Sequence, residues 1–92
     1  MCTSIVEIVA AEGAGKGDGG WFALTHSVVS YDHPHHAILD EAITIDFVNQ
    51  TQGPDARAAV ELTLEAAKAL CGALTRAIAA AEVEESERAD RL

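Results

Sequence analysis

Apolar and polar positions along the chain predict extended segments followed by one helix. In the first segment, residues 2–11, Ile5, Val6, Ile8 and Val9 put β-branched side chains on both faces of a strand. Both faces of this strand are therefore expected to be covered. Residues 12–20 contain five glycines, and because glycine at this density makes regular structure entropically costly, we predict a mobile loop there.

Three more strands are predicted after this loop, at residues 21–31, 42–49 and 57–62. The last two alternate apolar and polar residues, and the turn-rich residues 50–55 join them into a hairpin. A register that pairs Asn49 with Ala56 makes one face of this hairpin apolar. In that register the facing pairs are Ile43 with Leu62, Ile45 with Val60, and Phe47 with Ala58.

A helix is predicted after Thr63, a good N-cap residue, with Glu65 in the first turn, where a carboxylate complements the helix dipole. The expected fold is α+β, a four-stranded antiparallel sheet with this C-terminal helix packed on one face. Residues 1–82 form the predicted domain, and residues 83–92 form an acidic, frayed tail. The apolar positions follow helical spacing and form one stripe: Ala67, Leu70, Cys71, Leu74, Ala77, Ile78 and Ala81.

Charge and composition limit the classes of partner. The chain has 92 residues and a net charge of −9, so it would repel both nucleic-acid phosphates and anionic membranes. No apolar run is long enough to span a bilayer, and the start lacks the basic residues of a secretion signal, so we expect a cytoplasmic protein. Its two cysteines, Cys2 and Cys71, are expected to stay thiols.

One helix can cover only one face of a four-stranded sheet. The second face keeps apolar residues, since Val28 and Val29 point to opposite sides of their strand. Exposed apolar patches of more than a few hundred Å² are usually buried against a partner. We therefore predict a homodimer or higher homo-oligomer formed through the sheet.

All four histidines lie within eleven residues, and imidazole is both a neutral-pH acid or base and a common metal ligand. His33 and His36 flank Pro34 and are the candidate direct ligands, with Asp32, Asp46 and His26 as further metal-ligand candidates. Two nitrogens and a carboxylate suit zinc, iron, nickel or copper. The alternatives are metal-free acid–base catalysis by His33 or His36, and a solvated loop without a site.

Other residues have a functional and a structural interpretation. The favoured interpretation of Glu7 is a solvated strand residue, but it interrupts an apolar strand and is therefore kept as a candidate general base. Asp46 either lines the histidine site or forms a cross-strand pair with Arg57. Lys16, Trp21 and Tyr31 are candidate pocket residues for a small-molecule ligand, whereas the Gly15-Lys16 pair lacks the rest of a phosphate-binding loop.

Several segments together resemble a family of short actinobacterial proteins known as a domain of unknown function. The resemblance covers most of the chain to about residue 80, and it implies a bacterial protein without assigning any catalytic residue. Two functions therefore remain open: a metal-binding or acid–base enzyme of specialised metabolism that acts on a small organic molecule, and a non-catalytic dimeric binding or accessory module. The segments are Met1 to Glu7, Gly15 to Gly17, Gly20 to Phe22, Tyr31 to Pro34 and Ile45 to Asn49.

Overall fold

The computed structural model describes residues 5–91. Within this range the chain forms six strands and one helix, so the α+β prediction is confirmed, with two strands more than expected. Strands β1, β4, β5 and β6 form a four-stranded antiparallel sheet in the order β1-β4-β5-β6, and β2 pairs with β3 in a separate small sheet. The elements are β1 (Ile5–Ala10), β2 (Ala14–Gly17), β3 (Gly20–Ala23), β4 (His26–Asp32), β5 (Ala42–Val48), β6 (Arg57–Leu62) and α1 (Leu64–Asp90).

The β5–β6 hairpin has the predicted register. Ile43 faces Leu62, and Ile45 faces Val60, as the alternation of apolar residues requires. The backbone N–H of Asn49 donates to the carbonyl of Ala56 at 3.1 Å, which closes the hairpin at the predicted position. Local patterning was sufficient here because a one-residue shift would have turned every apolar side chain to the opposite face.

The glycine-rich segment is not the unstructured loop that its composition predicts. It forms the β2–β3 hairpin, in which Gly20 adopts a φ of 109° that other residues rarely adopt. The predicted strand 21–31 is likewise divided into β3 and β4. At the break, Thr25 donates its backbone N–H (2.8 Å) and its hydroxyl (3.2 Å) to the carbonyl of Val48, so the chain is bonded to β5 at the residue before β4 begins.

The two faces of the main sheet differ in chemistry. Successive residues of a strand point to opposite faces, and paired residues share a face. We call the first face the apolar face; it carries Ile5, Val9, Val29, Tyr31, Ile43, Ile45, Phe47, Ala58, Val60 and Leu62, with Glu7 and Ser27 among them. We call the second the polar face. Over β4, β5 and β6 its polar residues are His26, Ser30, Asp32, Thr44, Asp46, Arg57 and Glu61. The same face also carries Val28, Ala42, Val48 and Ala59, and on β1 it carries Val6, Ile8 and Ala10.

Helix α1 begins as predicted and then departs from expectation. The Thr63 hydroxyl accepts a hydrogen bond from the Ala66 backbone N–H at 3.0 Å, which confirms the N-cap. The helix continues through the acidic segment to Asp90, and the division of the chain at residue 82 stays a prediction. No residue of α1, which is described in full, is buried, so the structure does not show the helix packed on the sheet.

Burial within the described chain is slight. Among residues 5–91 the buried apolar residues are Ala42 and Ala56, and the buried polar residues are Ser27 and Asn49. Cys71, expected inside, is exposed. Across the described range, α1 is too polar to cross a bilayer as a helix. The main apolar surfaces of the chain therefore lie open in a single copy.

Candidate functional site

The connection between β4 and β5, which we call the histidine loop (residues 33–41), folds back over the polar face. Although β4 and β5 are neighbours, the loop reaches past β5 to Glu61 on β6. Ala42, which follows the loop on the polar face, is 1% exposed. The loop therefore forms a wall standing over one end of this face.

Glu61 holds this wall in place through three backbone hydrogen bonds. Its Oε2 accepts the N–H of His35 at 2.5 Å, and its Oε1 accepts those of His36 at 2.9 Å and Ala37 at 2.8 Å. Donation from His35 first, and then from Ala37, lowers the pKa of Glu61 to about 2. The carboxylate is therefore ionised at neutral pH and is engaged by the loop backbone.

Sequence reasoning missed Glu61. It lies 24–26 residues from its three partners along the chain, and no local pattern links a strand carboxylate to a loop so distant. The one available signal was the register of the β5–β6 hairpin, which places Glu61 opposite Thr44 and on the same face as Asp46. A carboxylate on that polar face was thus predictable, whereas its contact with the loop was not.

His33 ties the two ends of the histidine loop together. Its Nδ1 lies 3.1 Å from the carbonyl oxygen of Asp40 and 3.3 Å from Oε1 of Glu41, and its backbone N–H donates to Asp32 Oδ1 at 2.7 Å. The hydrogen bond with the Asp40 carbonyl, followed by the charge of Glu41, raises the pKa of His33 above 6.5. Protonation of His33 therefore favours the conformation in which the two ends of the histidine loop are held together.

Between the histidine loop and the sheet lies a cleft of about 880 Å³ that is open to solvent; we call it the histidine cleft. This volume lies within the range of about 300–1,000 Å³ typical of small-molecule sites. Its floor is formed by residues of the polar face, Ser30, Thr44, Asp46, Ala59 and Glu61. The remaining lining residues are Asp32, His33, His35, His36, Ala37, Arg57 and Val60.

The charged groups on the floor are paired within the chain. Arg57 contacts Asp46 Oδ1 through Nη2 at 2.9 Å and through Nε at 3.1 Å, so the cross-strand pair is confirmed. The hydroxyls of Ser30 and Thr44, which face each other across β4 and β5, form a hydrogen bond. The floor therefore presents hydroxyl groups beside carboxylates whose charge is already compensated.

The structure brings some of the predicted site residues together and separates others. His33, His36, Asp32 and Asp46, all metal-ligand candidates, line the histidine cleft. His26 is not among its lining residues, and its Nδ1 contacts Thr25 Oγ1 at 2.9 Å.

The other candidates lie elsewhere. Glu7 and Tyr31 line a smaller pocket of about 330 Å³ with Ile5, Val29 and Ile43 of the apolar face. Lys16 and Trp21 pair with each other in the β2–β3 hairpin, and the Trp21 residue is 72% exposed. The candidate base Glu7 therefore does not share a cleft with His33 or His36.

His33, His35 and His36 line one cleft, but they do not form a metal-binding cluster with the nearby carboxylates. Over residues 5–91, no three histidine, cysteine, aspartate or glutamate side chains are arranged to hold a metal ion together. Metal ligation by the predicted set would therefore require the histidine loop to rearrange.

Comparison with protein families identifies the group to which this sequence belongs. One family matches residues 1–87, nearly the whole chain. The chain belongs to DUF6295, a family of unknown function. This assignment confirms the resemblance to a domain of unknown function, whereas the restriction to actinobacteria stays a prediction. DUF6295 carries no activity that could be transferred. The searches of curated proteins and of solved structures found no match.

Proposed function

We propose that this DUF6295 protein is a non-catalytic binding or accessory module that holds a small polar organic molecule in the histidine cleft. The observation that carries the proposal is the anchoring of the histidine loop by Glu61. Three hydrogen bonds from consecutive residues to one carboxylate hold the loop backbone over the sheet. A wall positioned in advance reduces the conformational entropy lost on binding, which is a general feature of binding sites.

The chemistry of the cleft favours a ligand with several hydroxyl or amide groups and little net charge. Asp46 is compensated by Arg57, and Glu61 by backbone N–H groups, so neither carboxylate requires a cation from a ligand. The net charge of −9 disfavours anions. The hydroxyls of Ser30 and Thr44 and the imidazoles of the wall can each donate or accept hydrogen bonds.

A transition-metal ion is the second candidate ligand. It is favoured by one observation, that four of the five predicted ligand residues line the same cleft: His33, His36, Asp32 and Asp46. Binding would draw the exposed imidazoles together and would compete with protons for their ring nitrogens, so affinity should fall as pH drops through the raised pKa of His33. Zinc or nickel titrated at neutral pH tests this candidate, and His35→Ala should weaken binding less than His33→Ala or His36→Ala.

The proposed function is tested by nuclear magnetic resonance with ¹⁵N-labelled protein and four probes: glucose, serine, succinate and inorganic phosphate. Glucose or serine should shift the amide signals of Ser30, Thr44 and Ala59 at millimolar concentration, the upper end of weak binding. Ala59→Phe places a ring on the cleft floor and should abolish the shifts. The matched control is Ala10→Phe, on the exposed edge strand β1 and outside the cleft lining.

Each alternative result contradicts the proposal in a distinct way. Shifts with succinate or phosphate alone would show that the ligand class is wrong. Shifts that survive Ala59→Phe would place binding outside the cleft. Tight zinc or nickel binding that is lost in His33→Ala and His36→Ala, without any response to glucose or serine, would replace the organic ligand by a metal ion.

A further inference from the structure

A single copy of the chain exposes much more surface than a compact protein of its size. Its accessible surface is 7057 Å². A compact monomer of 9.6 kDa is expected to expose about 5,100 Å². The difference, about 2,000 Å², exceeds the roughly 800 Å² per partner that a stable protein–protein interface buries. The chain therefore has enough uncovered surface for a large interface.

Two groups of exposed apolar side chains among residues 5–91 are relevant to such an interface. The first is the stripe of α1, where Leu70 is 48% exposed, Leu74 is 58% exposed and Ile78 is 51% exposed. The second is the apolar face of the sheet, where Ile5 is 60% exposed and Val60 is 45% exposed. Apolar side chains exposed in contiguous groups of this extent mark an interaction surface.

The helix does not cover the sheet of its own copy because the connection between them is too short. A single residue, Thr63, separates β6 from α1, and its backbone is extended, with φ −65° and ψ 159°. Chain reversals between a strand and a helix normally use about 2–6 residues. The 27 residues of α1 span about 40 Å. The longest dimension of the molecule is 55 Å, so the helix extends beyond the sheet.

We propose that two copies exchange helices, so that α1 of each copy packs across the apolar face of its partner. The apolar stripe, residues 67–81, is about 21 Å long, and a four-stranded sheet is about 19 Å wide, so the stripe matches the face. Because each copy provides one helix and one sheet face, a two-fold arrangement covers both surfaces and leaves no site for further addition.

A second copy fits these surfaces better than other occupants. A membrane is disfavoured by the net charge of −9. An unrelated protein would need both a complementary helix and a complementary sheet face, whereas a second copy carries both in the required one-to-one ratio. The histidine cleft lies on the opposite face of the sheet, so the exchange and the proposed ligand binding can succeed or fail independently.

Light scattering on purified protein tests the assembly. Wild type should have twice the 9.6 kDa mass of one chain at micromolar concentration. Leu74→Asp would place a carboxylate in each helix–sheet contact and should weaken dimerisation by about a hundredfold or more. The matched control, Ala69→Asp, adds the same charge on the opposite side of α1 and should remain dimeric. A monomeric wild type, or dimers that persist equally in both variants, would overturn the proposal.

A second measurement distinguishes helix exchange from another dimer and does not depend on the folding of a variant. Samples are prepared by mixing ¹³C-labelled and unlabelled chains, so that filtered nuclear Overhauser effects report contacts between copies. Helix exchange predicts intermolecular contacts between the methyl groups of Leu74 and those of the apolar face, such as Val60. Contacts of Leu74 with the apolar face solely within one labelled chain would overturn it.

Discussion

Gly17→Ala should loosen the β2–β3 hairpin from the main sheet. A Cβ atom at Gly17 would lie 2.9 Å from the carbonyl oxygen of Arg57 and 3.3 Å from Cε1 of Phe22. The first contact is with backbone, which cannot rotate away as a flexible side chain can. The φ of Gly17 lies outside the left-handed region, so the penalty comes from the close approach alone.

The magnitude follows from two opposing effects. Forcing a methyl group into a packed contact costs about 1–3 kcal/mol. Replacing glycine by alanine restricts the unfolded chain and returns about 0.4–1 kcal/mol. We therefore expect a net loss of about 0.5–2 kcal/mol in the free energy of unfolding. Because Arg57 also pairs with Asp46, the same displacement should disturb one end of the histidine cleft.

Urea unfolding at one fixed protein concentration measures this loss, since the stability of an oligomer depends on concentration. Gly19→Ala is the matched control, because a Cβ atom there meets nothing within 4 Å. It should be neutral or slightly stabilising. Equal stability of the two variants would show that β2 does not depend on its close approach to Arg57, and the steric argument would be refuted.

Three further predictions concern the loop and the helix. Glu61→Gln replaces one acceptor oxygen by an amide donor, so at neutral pH it should speed hydrogen exchange at the three bonded loop amides. The difference in exchange rate between variant and wild type should shrink as pH falls from about 4.5 towards about 2, because wild-type Glu61 then becomes protonated as well. The pKa of His33 is raised in the folded protein, so its stabilisation of the loop should be complete below pH of about 6.5 and lost as pH rises through the folded-state pKa. Thermal melting at several pH values should show that His33→Ala removes this pH dependence. Thr63→Ala removes the N-cap and should cost about 1 kcal/mol, whereas an unchanged melting curve would contradict the cap.

Alternation and capping were sufficient for the C-terminal half of the fold. The β5–β6 register and the start of α1 at Leu64 both agree with prediction. Each depends on contacts between residues close in sequence, where a shift of one position would expose apolar side chains or lose a cap. The sequence by itself therefore determined these elements and the Asp46–Arg57 pair, a diagonal neighbour contact in that register.

Tertiary structure decided the rest. The glycines that predict a loop allow β2 to approach Arg57, a contact that involves residues 40 positions apart and leaves no local signal. The histidine loop became a wall because Glu61, on a strand later in the chain, accepts its backbone N–H groups. The apolar stripe of α1 was predicted correctly, but the surface that would bury it could not be predicted from the sequence. The reason is that the one-residue connection after β6 directs the helix beyond its own sheet. Periodicity records which side of an element avoids water, whereas the surface that covers that side depends on where the chain places the element in space.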